Sequence, residues 1–513
     1  MSTLRGAWSA ILGAIVSGVL YFLGFCGFDQ WYLSWLCLVP LLIVLDDKTP
    51  RQAFFIGWLM GVVTHAGGFY WLIHTISVFG KFPIVLAVGM SAALWIYQGF
   101  AMALFAWLVA KLPRESTGLL ITAAFLAVEF LYPYLFPSFL GNSQYKVPVL
   151  IQTAELGGPL LVSFLVVYAN VAIYGLFSIR MGINIFHPYR RFIAAVAMVV
   201  AAGVFGTIRM EKIDELIRTS PSMRVGLIQP NMGIYDKREN PGEGQRRHLA
   251  GTQALETKGV DLVVWSEAAN MYYIDSGISK APFYGRYGFR TPLLFGTLRR
   301  DGEKRFNSAM LTDAQGNILG SYDKHYLLAF GEYIPFGDRF PKLYEYSPNT
   351  GFFTKGESLK PLVLNGRRIS LMICYEDILP DFVREEVRAG RPNLLVNITN
   401  DAWFGKSTEP EIHLALSVFR AVEHRRWLIR ATNSGVSAFV DAAGRITSRT
   451  NVFEEAILTD KAVLLDLPPT LYNLIGDVLG WAATAAVALG LIVSFFRWIL
   501  RRRAARLLVR SAS

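Results

Sequence analysis

From Arg368 to Glu376 the chain reads RISLMICYE, and the change of character at its centre decides the fold. The run Ile369 to Ile373 is apolar and reads as a buried strand. It gives way to Cys374, then to Glu376 and Asp377, and Pro380 opens a helical stretch that reaches Ala389. Strand, polar turn and helix in succession are the repeating unit of a layered α/β domain. Working outward, MRVGLIQ from Met223, DLVVWSE from Asp261, TPLLFGT from Thr291 and NLLVNITN from Asn393 read as further buried strands. Two hairpins are expected, Ser308 to Tyr322 around Ala314-Gln315-Gly316-Asn317 and Ser437 to Thr447 around Asp441-Ala442-Ala443-Gly444. Helices are expected at Gln245 to Thr257 and Glu411 to Trp427. One α/β domain therefore occupies residues 210–471.

The sequence on either side is of another kind. Of 513 residues 53% are hydrophobic and only 17% charged, below the roughly 25% usual for soluble domains. A hydrocarbon core about 30 Å thick needs about 20 apolar residues in a helix. Such runs follow one another at Ala7 to Cys26, Trp31 to Leu45, Ala53 to Val78, Pro83 to Leu112, Gly118 to Phe136, Pro159 to Ile179 and Phe192 to Ile208, and an eighth spans Asn473 to Leu500. The second is short and interrupted by Pro40. The expected organisation is a membrane bundle of seven spans in residues 1–209, the α/β domain in 210–471, and a closing span with a basic tail in 472–513.

Charge gives the orientation. Lys48 and Arg51, Lys111 and Arg114, and Arg180, Arg190 and Arg191 occupy alternate short connections, and Arg501, Arg502, Arg503 and Arg506 follow the last span. Basic loops face the cytoplasm, so both termini are expected inside and the α/β domain outside. The net charge of +11 has the same origin, and nucleic acid is not an expected partner. Of the three cysteines, Cys26 and Cys37 fall in apolar runs, so neither a disulfide framework nor a metal-ligand spacing is available; no metal or organic cofactor is implied. Glu129, His65 and His74 lie in apolar runs and are expected to bond helix to helix.

Cys374 is the one cysteine outside those runs, at a strand end. Glu267 ends VVWSE in the same way, and parallel pairing of the two strands would bring both side chains to one sheet edge. Lys324 follows the hairpin strand Leu319 to Asp323. Each alone is an ordinary strand-end residue, but together they are a set that acyl transfer requires: a base for the thiol proton, a nucleophile and a fixed cation near a developing oxyanion.

In matching chain order, Glu267 in VVWSEAAN, Lys324 in YDKHYLLAFGEYIPFGD and Cys374 in ICYED resemble the Glu-Lys-Cys triad of the nitrilase superfamily. The surrounding spans, with the FGE, CYE and NDAWFG segments, narrow the resemblance to the apolipoprotein N-acyltransferases, the membrane branch that performs the last acylation in bacterial lipoprotein maturation. The resemblance implies an αββα sandwich, catalysis by Glu267, Lys324 and Cys374, and supporting roles for Glu332, Tyr375, Glu376, Asn307 and Trp403. It also implies a phospholipid donor, with phosphatidylethanolamine favoured, a diacylated apolipoprotein acceptor, a monomeric enzyme in the bacterial inner membrane, and a domain facing the periplasm. Two departures stand out: Gln229-Pro230-Asn231 is followed by Tyr235 where the family can carry tryptophan, and LLAFGE replaces LVPFGE, with Ala329 for proline. The rival expectations are a membrane-anchored nitrilase-type hydrolase, in which water resolves the thioester, and a membrane protein whose domain has lost activity.

Overall fold

The computed structural model describes residues 2–113, 118–182, 187–329, 331–334, 336–337, 339–346 and 351–511. Arg114, one of the basic loop residues, lies outside them. The chain divides into two compact units: residues 1–70, 88–206 and 477–513 form one, and residues 71–87 and 207–476 the other.

The first unit is helical. Four helices among the described residues are long and apolar enough to cross a membrane: Ile84–Lys111, Ala154–Arg180, Pro188–Thr219 and, in its apolar part, Val478–Leu500. Pro50–Gly68 of this unit passes the same test when taken together with Leu72–Phe79, which follows a break and belongs to the second unit. Shorter apolar helices occupy Trp8–Gly24 and Gly118–Leu131. The second apolar run is not one continuous helix. It forms a 3-10 turn at Trp31–Trp35 and a short helix at Val39–Leu45 with Pro40 in its first turn. Proline lacks the N–H that would continue the ladder, and side chains satisfy the backbone around the break: Asn170 Oδ1 accepts the Leu38 N–H at 2.9 Å and Ser17 Oγ that of Leu41 at 2.8 Å. Irregular backbone among membrane helices persists where neighbours supply such partners. Gly57 and Gly61 lie four residues apart where Pro50–Gly68 crosses Ile84–Lys111. A Cβ at Gly61 would come within 2.5 Å of the Gly99 carbonyl, so the glycine pair sets this close approach.

Among its described residues the second unit carries thirteen strands, named in chain order: β1 (Ser222–Gln229), β2 (Leu262–Trp265), β3 (Asn270–Asp275), β4 (Leu293–Asp301), β5 (Lys304–Thr312), β6 (Ile318–Asp323), β7 (Leu362–Leu364), β8 (Arg367–Ile373), β9 (Leu394–Thr399), β10 (Trp427–Thr432), β11 (Ala438–Val440), β12 (Ile446–Arg449) and β13 (Ala456–Val463). They form two sheets, β13-β1-β2-β4-β5-β6 with β3 beside β4, and β12-β11-β10-β9-β8-β7. In each the central strands are parallel, β1-β2-β4 and β8-β9-β10, and the expected hairpins are the antiparallel pairs β5-β6 and β11-β12.

The sheets pack face to face, with Pro241–Glu256 covering the first and Pro380–Gly390 and Glu409–His424 the second. This is an αββα sandwich. Parallel strands covered on both faces have no exposed side, which is why β2 and β9 are buried throughout and β2 is wholly apolar. Gln229, at the end of β1, ties the layers together: its Oε1 accepts the hydroxyls of Thr432, Ser437 and Thr450 at 2.7–2.9 Å, from the chain of the opposite sheet.

Candidate active site

β2 and β8 belong to different sheets, so Glu267 and Cys374 do not share a sheet edge through pairing of their strands. They come together because the two sheets face one another and both strands end on the same side.

Cys374 opens a 3-10 turn, Cys374–Ile378, with φ +55°, a left-handed conformation that a non-glycine residue adopts only when its surroundings hold it there. Asn397 Nδ2 on β9 donates to the Cys374 carbonyl at 3.1 Å. Glu376 supplies the larger clamp. Its Oε2 accepts the Ile373 N–H at 2.7 Å and the Tyr322 hydroxyl at 2.9 Å, while its Oε1 accepts the N–H groups of His325 at 2.5 Å and Tyr326 at 2.9 Å. One buried carboxylate therefore stitches the Cys374 turn to the segment that follows Lys324. Tyr375 is mostly buried, and burial, then Tyr333, hold its phenol well above the usual range.

Lys324 is buried and lies 2.8 Å from Glu332 Oε2 and 3.6 Å from Glu267 Oε1. Asn307 Nδ2 on β5 donates to Glu267 Oε1 at 2.7 Å and to Glu332 Oε1 at 2.8 Å. Glu332 Oε2 also accepts the Leu328 N–H at 2.8 Å. This leaves Glu267 Oε2 as a buried oxygen with no hydrogen-bond partner among the described residues.

Burial pushes the Cys374 thiol well up, and the Glu267 carboxylate adds to the effect against the opposing pull of Lys324. Cys374 is thereby held as a thiol. Burial also raises Glu267, with Lys324 pulling down and Glu332 pushing up. Burial lowers Lys324, but Glu332 and then Glu267 outweigh it and raise it above the usual range.

Several residues at the site carried no isolated sequence signal. Lys237, on the helix Ile234–Glu239, is buried and donates to the Glu267 carbonyl at 2.6 Å; burial lowers it to about 8 against the attraction of Glu267. Behind Cys374, His413 lies 2.9 Å from Asp377 Oδ1 and 3.0 Å from Asp401 Oδ1, and Arg430 reaches both carboxylates. The one readable clue was Arg430 itself, a charge inside the apolar strand WLIRAT, which can be buried only with a partner. Asp401, Glu409 and His413 offer ligand atoms within 4.8 Å of one another. Burial and Arg430 lower His413, yet Asp377 and Asp401 outweigh both and raise it to about 10. With each ring nitrogen of His413 facing a carboxylate and Arg430 paired to the same two carboxylates, the described groups form an ion-pair network.

Trp403 takes no part in the triad's ion pairs. It sits on the 3-10 turn Asp401–Phe404 with its ring centroid 3.7 Å from that of Phe79, and Phe404 packs edge-on against Trp71 at 5.0 Å. Tyr235 fastens the same Trp71–Ala87 segment, donating to the carbonyls of Val78 at 2.9 Å and Phe79 at 2.6 Å.

The N-terminal domain model of apolipoprotein N-acyltransferase matches residues 17–172, and the carbon-nitrogen hydrolase model matches residues 224–464. The apolipoprotein N-acyltransferase of Geobacter metallireducens is 33% identical, over 95% of this chain and 95% of its own. The chain belongs to the apolipoprotein N-acyltransferase family. A further apolipoprotein N-acyltransferase, from Azotobacter vinelandii, is 31% identical over 98% of this chain and 97% of its own. Among solved structures, an amidase from Nesterenkonia sp. aligns with 48% of this chain and 90% of its own at 23% identity and TM-score 0.35. Every residue that the acyltransferase resemblance singled out lies in the second unit, where the carbon-nitrogen hydrolase model matches.

Proposed function

We propose that the chain moves a fatty acyl group from a phospholipid, through a thioester on Cys374, to the N-terminal amine of a diacylglyceryl-cysteine apolipoprotein. The observation that carries this reading is the unpaired Glu267 Oε2 beside a buried thiol and a charged lysine. A thiol held protonated needs a base at the moment of attack. Glu267 takes the proton as Sγ bonds to the ester carbonyl carbon. Lys324, with the backbone N–H at Tyr375, stabilises the oxyanion; one such donor is typically worth about 10²–10³ in rate. The ester C–O bond breaks, the proton passes from Glu267 to the departing alkoxide, and lysophospholipid leaves.

In the second half the acceptor amine attacks the thioester carbonyl and gives its proton to Glu267. The C–S bond breaks and the Cys374 thiol is restored. Glu332 and Asn307 hold Lys324 and Glu267 in register, and Glu376 holds the nucleophile turn. Membrane anchorage fits substrates whose chains lie in the bilayer, since each methylene drawn into water costs about 0.8 kcal/mol. The reading places residues 1–209 and 472–513 in the bacterial inner membrane with about eight crossings, residues 210–471 on the periplasmic side, both termini inside, and the working enzyme as a monomer.

The test is product analysis with radiolabelled phospholipid, with and without a diacylated lipopeptide. Label on the peptide amine, and little free fatty acid without peptide, supports transfer. Free fatty acid at the same rate in both reactions makes the chain a hydrolase.

A further inference from the structure

A cavity of about 230 Å³ lies beside the segment that joins β13 to the last apolar helix, lined by Arg391, His424, Arg426, Asp466 and Asn473 among others. One water needs roughly 10–15 Å³ of such space, so a phosphate-sized group has room. Arg426 directly precedes β10, and Arg391 caps the helix Pro380–Gly390 ahead of β9. Cys374 follows the opposite end of β8, which runs parallel to β9. The seven residues of β8, at about 3.3 Å each, separate the two sheet edges. The cavity is therefore no part of the acyl-transfer site.

Arg426 is 3% exposed, and carbonyls hold its guanidinium: Nε donates to Pro392 at 2.6 Å, Nη1 to His424 at 3.3 Å and Arg425 at 3.1 Å, and Nη2 to Leu467 at 2.6 Å. They fix it without neutralising it, and one Nη2 N–H is left over. Burial lowers its pKa to about 10, with Asp466 opposing, so the charge persists at neutral pH. Asp466 itself pairs with Arg368 at 2.9 Å. A buried cation so held is completed by an anion. His424 and Asn473 are also buried. Asn473 Nδ2 donates to His424 Nδ1 at 3.3 Å, which puts the ring proton on Nε2. Neither His424 Nε2 nor Asn473 Oδ1 has a hydrogen-bond partner among the described residues, and Glu423 Oε2 stays 3.9 Å from the former.

We propose that this cavity binds the phosphate of an anionic phospholipid. Arg391 and Arg426 balance the phosphate charge, His424 Nε2–H donates to it, and Asn473 Oδ1 accepts a headgroup hydroxyl. With Arg368, three arginines stand against one aspartate, which selects a net negative headgroup over a zwitterionic one. The occupant is a lipid because the chain beside the cavity is apolar on its outer side. In the short helix Leu471–Ile475, Tyr472 and Asn473 are buried while Leu471, Leu474 and Ile475 are exposed. The helix Val478–Leu500, long and apolar enough to cross a membrane, begins three residues later. The proposal rests on the membrane placement of that helix and not on acyl transfer at Cys374.

The test uses full-length protein carrying Cys374→Ser in detergent, so that no acyl group can be transferred. Hydrogen exchange in residues 466–475 is followed as phosphatidylglycerol, phosphatidylethanolamine or inorganic phosphate is added. Phosphatidylglycerol should slow exchange there about threefold or more, as a ligand at twice its dissociation constant does, and phosphatidylethanolamine should leave it unchanged. Arg391→Asn removes a charge and suits the left-handed φ of +43° at that position, and Asn473→Asp sets a carboxylate in the cavity. Each should abolish the phosphatidylglycerol effect, with the unfolding temperature in the absence of lipid showing which variant is folded. No slowing by phosphatidylglycerol, equal slowing by phosphatidylethanolamine, or undiminished slowing in a folded variant overturns the site. Equal slowing by millimolar inorganic phosphate overturns the lipid assignment. Cys374 acylation in otherwise unmodified protein is read separately, so failure here leaves the acyl-transfer reading standing.

Discussion

The Lys324 ammonium lies nearer to Glu332, at 2.8 Å, than to Glu267, at 3.6 Å. The lysine's charge is thus balanced chiefly by a residue that need not act as base, and Glu267 keeps one oxygen unpaired.

Replacing Glu332 by Gln tests this division of labour. Glu332 holds the proton on Lys324 and raises Glu267, so without it both groups titrate lower. The rate of Cys374 acylation should fall by about 10²–10³, the usual consequence of misplacing one oxyanion donor, and both limbs of its pH profile should move to lower pH. Single-turnover rates across the pH range read both effects. A slower rate on an unmoved profile contradicts the assignment.

Lys237→Met should act in the opposite direction on the base. Its ammonium pulls the Glu267 pKa down, so its loss shifts the acid limb of the acylation profile to higher pH. The rate should drop roughly 10- to 100-fold, corresponding to the about 1.5–3 kcal/mol of a hydrogen bond to a charged group. Lys237→Arg should recover part of the rate. Identical profiles for wild type and Lys237→Met would reduce the residue to packing.

The network behind Cys374 predicts how stability changes with pH. His413 is raised from 6.5 to about 10 by its carboxylates, against burial and Arg430. A raised folded pKa contributes stability that is complete below 6.5 and lost as pH climbs toward 10. Thermal unfolding of the full chain in detergent should therefore occur at progressively lower temperature across that window. His413→Asn should be less stable at pH 6.5 and should flatten the dependence, and a slope unchanged in the variant would count against the charged imidazole.

Tyr235→Phe removes the hydroxyl that donates to Val78 and Phe79. The loss is about 0.5–1.5 kcal/mol, enough to raise hydrogen exchange in residues 75–82 several-fold while acylation of Cys374 by a short soluble ester stays unchanged. Unaltered exchange would mean that the ring contacts at Trp403 and Phe404 hold the segment by themselves.

What the sequence showed of this site, and what it hid, follow from one physical distinction. Glu267, Lys324 and Cys374 were legible because each follows a strand, and for Glu267 and Cys374 the change from apolar to polar residue types marks it. Glu332 and Asn307 were visible only through resemblance, since one lies in a loop and the other faces inward from a hairpin strand. Lys237 sits in Asp-Lys-Arg-Glu, which reads as a solvated face, and only tertiary packing buries it. His413 is likewise an ordinary helical residue until the sandwich closes. In the helical unit, hydropathy located the apolar runs but not the backbone inside them: Pro40 hinted at the broken second run, whereas the partners that satisfy the break, Asn170 and Ser17, come from other helices.

The most direct test of the central claim is the intact mass of the protein after mixing with phospholipid alone, with Cys374→Ser as control. The account predicts a hydroxylamine-labile acyl adduct on Cys374 that disappears when a diacylated lipopeptide is added, with the acyl chain recovered on the peptide's amine. A lipopeptide that becomes acylated equally well by the Cys374→Ser protein, or an acyl adduct that forms elsewhere in the chain, would contradict it.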